Sequence, residues 1–126
     1  MSNRVLGLPR LAWRIAAIAL AGLAAIAALL PPRGTPFFEI ASLGANLSLV
    51  LHGVGFAVCA FSTMLAQRTP RPAVTSFGLI LYGVFLEMTQ GVTGLRTTQL
   101  GDMLANASGV LVGVAVAQLL ARPGRD

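Results

Sequence analysis

Glu87 and Gln90 stand three residues apart, Asp102 and Asn106 stand four apart, and Arg96 lies between the two pairs. Spacings of three and four put both members of each pair on one face of a helix. A carboxylate with an amide on each of two helices, joined by a loop carrying a guanidinium, could hold and protonate or deprotonate a polar group. His52 adds an imidazole from an earlier apolar run. With Glu87 it supplies the side chains best suited to general acid–base work, and Asp102 can share that task. Arg96 offers a planar fork for a phosphate or carboxylate. Gln90 and Asn106 can orient a polar head.

These residues sit in apolar surroundings. The chain of 126 residues is 56% hydrophobic and 10% charged, which sets it apart from soluble domains of this size. Four apolar segments near bilayer length can be drawn, at about residues 11–30, 47–67, 73–90 and 102–121. They predict an all-α membrane protein, a single domain over residues 1–126, with four transmembrane helices in an antiparallel bundle. Pro31 and Pro32 end the first segment, and a short stiff turn from Arg68 to Pro72 joins the second to the third.

All nine basic residues are Arg. They lie singly or in pairs between apolar runs, so the net charge of +5 reads as membrane orientation and not as a nucleic-acid surface. Arg4, Arg10, Arg14, Arg68, Arg71, Arg122 and Arg125 fall on one side of the predicted bundle, and Arg33 and Arg96 on the other. This bias predicts cytoplasmic termini in a bacterial cytoplasmic membrane. The turn between Glu87 and Asp102 then opens outward. Residues 1–30 also carry an arginine-bearing start and an Ala25-Ile26-Ala27 site resembling a secretory signal. The apolar run continues to Leu30 and Trp13-Arg14 suits an interface, so the pattern favours a retained span.

At a rise of 1.5 Å per residue, His52, Glu87 and Asn106 fall about 7, 5 and 6 Å below the outer ends of their helices. That agreement predicts one shared pocket near the external water boundary. Each residue also has a plainer explanation. Asp102 can cap its helix, Asn106 can bond to a neighbouring helix, Gln90 can be interfacial, and His52 can be a packing residue. Glu87 resists such an explanation most, because a carboxylate below the interface needs a partner or a proton. Gly109 and Gly113 form a small-xxx-small pattern that can meet another helix, in this chain or in a homo- or hetero-oligomer. The lone Cys59 reads as a packing residue. The spacing calls for no cofactor and no metal, although His52, Glu87 and Asp102 form a conceivable ligand set.

The segments LHGVGF, carrying His52 and Phe56, and EMTQGVTGLRTTQLGDMLANASGVLVG, running from Glu87 to Gly113, resemble the VanZ-like family of small bacterial membrane proteins. The resembling residues are His52, Phe56, Glu87-x-x-Gln90, Arg96, Asp102, Asn106 and Gly109. Ser48-Leu49 stand where family members often carry Asp-Lys, and Phe56 stands where Tyr is frequent. The family is named for a protein linked to teicoplanin resistance. The resemblance implies a cell-envelope role and an effect on glycopeptide antibiotic susceptibility. Two functions are compatible with the residues. One is an outward-facing site acting on or binding an amphiphilic envelope component, such as a membrane lipid or a lipid-linked cell-wall precursor. In it Glu87, His52 and Asp102 are catalytic, and Arg96, Gln90 and Asn106 bind substrate. The alternative is a non-catalytic scaffold or interaction subunit whose polar cluster is structural.

Overall fold

The computed structural model describes residues 3–29, 45–94 and 100–121. Four helices dominate: α1 at Arg10–Leu29, α2 at Ala45–Ala66, α3 at Pro72–Val92 and α4 at Leu100–Leu120. Each has 20 to 22 residues, about 30 Å of helix and enough to cross a bilayer. Their outward surface is apolar, with Ile18, Phe77, Phe85 and Val92 among the exposed side chains. Glu87, Asp102, Asn106, Gln90, Ser62 and Thr75 are buried instead. Water as the only solvent would penalise that arrangement on both counts, whereas lipid favours it. The chain is therefore a multi-pass membrane protein.

A feature unforeseen from the sequence precedes α1. Strands β1 (Arg4–Val5) and β2 (Leu8–Pro9) pair antiparallel through a two-residue turn. Leu6 and Gly7 take φ of 49° and 80°, so both central residues are left-handed, as a tight hairpin of this twist requires. The Trp13 indole donates to the Val5 carbonyl at 3.1 Å and packs edge-on against Phe61 of α2. The Arg10 guanidinium donates to the carbonyls of Leu65 and Gln67 at the end of α2. Those carbonyls have lost their helical donors, and a cation there also suits the negative end of the dipole.

The turn from α2 to α3 is held by one side chain used twice. Gln67 donates to Thr75 Oγ1 at 2.7 Å and accepts from the Arg71 backbone N–H at 2.8 Å. Pro72 then opens α3, where its missing N–H costs nothing. At the far end of α3 Gly91 stays helical, and Gly94, with φ 68°, takes the left-handed position beyond the helix.

The most extensive helix pairing joins α2 to α4. They run parallel, since Gly109 meets Gly53 and Gly113 meets Ala57 in the same chain direction. A Cβ on Gly109 would run into the Gly53 carbonyl oxygen, and one on Gly113 into that of Ala57. The two backbones are in contact, and only glycine fits on the α4 side. The small-xxx-small face of α4 thus meets α2 of the same chain. Its counterpart on α2 is Gly53-x-x-x-Ala57. α3 closes the seam from one side: Phe56 lies under Gly83, where an added Cβ would meet its ring at 3.3 Å. α1 packs on α2 and α3, its Ala21 carbonyl accepting from the Tyr82 hydroxyl at 2.6 Å.

Candidate functional site

His52 comes from α2, Glu87 from α3 and Asp102 from the first turn of α4. The structure brings all three together. His52 Nε2 lies 3.8 Å from Glu87 Oε1, and His52 Nδ1 lies 3.6 Å from Asp102 Oδ1. His52 Nδ1 is also 2.9 Å from the Ser48 carbonyl one turn earlier. Because a carbonyl only accepts, that bond assigns the proton to Nδ1 and turns Nε2 toward Glu87. Asp102 sits within the first turn of α4, where the helix dipole favours a carboxylate. It is not the residue preceding the helix, so the simple capping explanation fails.

The helices place the cluster deeper than the sequence suggests. At this end α2 begins at Ala45 and not Leu47, α3 reaches Val92 and not Gln90, and α4 begins at Leu100 and not Asp102. Two more residues at each of three ends add about 3 Å of helix beyond the cluster. Glu87 is 3% exposed, Asp102 2%, Asn106 3% and Gln90 8%. The carboxylates face the imidazole inside the bundle. This overturns the outward-facing site expected from the sequence: the polar groups converge as foreseen, but among the described residues they are buried and pair with one another inside the bundle. Glu87, His52 and Asp102, foreseen as catalytic, meet in one group, and Gln90 and Asn106, foreseen as substrate-binding, are buried on the same two helices as its carboxylates. Arg96 lies outside the described residues.

Asn106 occupies the layer beneath. It follows Asp102 by one turn on the same face and packs against Gly83, itself one turn before Glu87. Its Oδ1 is buried and has no hydrogen-bond partner among the described residues. Close approach at Gly83 and at Gly109 lets α2, α3 and α4 converge enough for the cluster to form. A cavity of about 400 Å³ lies at the opposite end of the bundle, lined by Arg4, Arg10 and Arg68 among others. It contains none of the foreseen site residues.

Fold and cluster together define a multi-pass membrane protein with an internally paired His–Glu–Asp centre joining three of the four helices among the described residues. The chain matches no protein-family model, no curated protein and no solved structure.

Proposed function

We propose that the chain is a non-catalytic membrane scaffold or interaction subunit whose polar cluster holds its helices in register. One observation carries this reading: His52 lies between two buried carboxylates, Glu87 and Asp102, contributed by the two helices that flank α2 at this end. Lipid surrounds the bundle with a solvent as apolar as its own side chains, so apolar contact alone gives helices little reason to choose a register. A buried polar centre supplies one, since separating its members leaves charges in hydrocarbon.

Membership of the VanZ-like family belongs to the same proposal. It is supported by the pattern His52, Phe56, Glu87-x-x-Gln90, Arg96, Asp102, Asn106 and Gly109, whose members include both the cluster and residues of the close-packed seam. A bacterial cytoplasmic membrane with both termini inside is supported by the arginines, of which Arg4, Arg10 and Arg68 gather at one end of the bundle.

The test is folding. In Glu87→Gln, His52→Ala and Asp102→Asn proteins, membrane abundance and resistance to unfolding in detergent should fall together. Wild-type abundance and stability in all three would overturn the proposal.

A further inference from the structure

We infer that the His52–Glu87–Asp102 cluster is a structural metal centre, taking one divalent first-row ion of the Zn²⁺ type between α2, α3 and α4. The inference deepens the proposed structural role and rests on it.

The donor set comes first. One imidazole nitrogen and two carboxylate oxygens, each from a different helix, lie within 4.8 Å of one another. Nitrogen with carboxylate oxygen suits Zn²⁺ and its first-row neighbours, whereas Mg²⁺ and Ca²⁺ prefer oxygen alone. Ligand atoms around Zn²⁺ stand about 2.0–2.2 Å from the ion and so roughly 3.4 Å from each other. The 3.8 Å between His52 Nε2 and Glu87 Oε1 is close to that figure and longer than a direct hydrogen bond. Asp102 stands nearer the other edge of the ring, 3.6 Å from Nδ1, and closes on the ion within the 4.8 Å spread of the three donors. Two carboxylates and a neutral imidazole also match a divalent ion in charge.

Two further observations point to a ligand. Metal-binding histidines commonly donate their second ring N–H to a carbonyl, which fixes the tautomer and aims the other nitrogen at the ion. His52 does this: Nδ1 is bonded to the Ser48 carbonyl, and Nε2 faces Glu87. The second observation is Asn106. Side chains on a helix lean toward its N-terminus, so Asn106 leans from one turn away toward Asp102. Its buried Oδ1 lacks a partner among the described residues. An amide oxygen in that position can complete the coordination or accept from a metal-bound water.

The full chain, purified in mild detergent and stripped with chelator, is titrated with ZnCl₂. Metal content after gel filtration and the thermal unfolding midpoint are then measured. The wild type should retain about one Zn²⁺ per chain, with a midpoint several degrees higher than in chelator. His52→Gln should lose the metal and the shift. Asn106→Ala, which keeps all three ligands, should bind about tenfold more weakly. Substoichiometric uptake by the wild type with an unmoved midpoint overturns the inference, as does full retention by His52→Gln. The chelated proteins separate this failure from failure of the structural reading. Absent zinc uptake with a lowered midpoint for Glu87→Gln removes the metal and keeps the polar lock; absent uptake with an unchanged midpoint removes both.

Discussion

The seam between α2 and α4 and the outer helix α1 solve the same problem in different ways. Along the seam the backbones touch at Gly109 and Gly113, and a polar cluster stands at one end. α1 buries only Ala28 and presents Ile15, Ile18, Leu23 and Ile26 outward. It is held by directed contacts: Tyr82 to the Ala21 carbonyl, Trp13 against Phe61, and Arg10 on the end of α2. α1 is no less apolar than the seam, yet it is packed less deeply. In a bilayer, apolarity places a helix in the membrane but does not say what it touches. Small residues and polar groups decide that.

The contrast orders the expected effects of substitution. Gly109→Val with Gly113→Val should be the most damaging, since each added Cβ meets a carbonyl oxygen of α2. A loss of about 3 kcal/mol or more is expected from such overpacking, read as a shift in the detergent-unfolding curve. His52→Ala should follow, at roughly 3 kcal/mol by the same measurement, because Glu87 and Asp102 lose the group they share. Tyr82→Phe removes one interhelical hydrogen bond from α1 and should cost about 0.6 kcal/mol. Ile18→Ala on the outer face of α1 should change stability by less than about 0.5 kcal/mol. If Ile18→Ala cost as much as the glycine pair, the distinction between seam and periphery would be broken.

Much of this organisation is legible in the sequence. The spans appear within two residues of their positions, because length, apolarity and proline punctuation suffice to bound a membrane helix. The meeting of His52, Glu87 and Asp102 also follows from spacing and topology. Its direction does not. The polar faces of α2, α3 and α4 turn toward one another, so the carboxylates meet the imidazole inside the bundle, and that choice depends on interhelical contacts that apolar periodicity does not encode. Gly53 and Ala57 carry no signal in the sequence for a related reason: a small residue gains meaning only when its partner backbone is known. The hairpin before α1 was hidden by Leu6, a side chain that rarely adopts positive φ.

The central claim is that His52 and Asp102 stabilise the fold through each other, across two helices. A double-mutant cycle of His52→Ala and Asp102→Asn, followed by unfolding in detergent with chelator present, tests it directly. The predicted result is a coupling energy of about 1 kcal/mol or more between the two sites. Strictly additive losses, with no coupling, would contradict it.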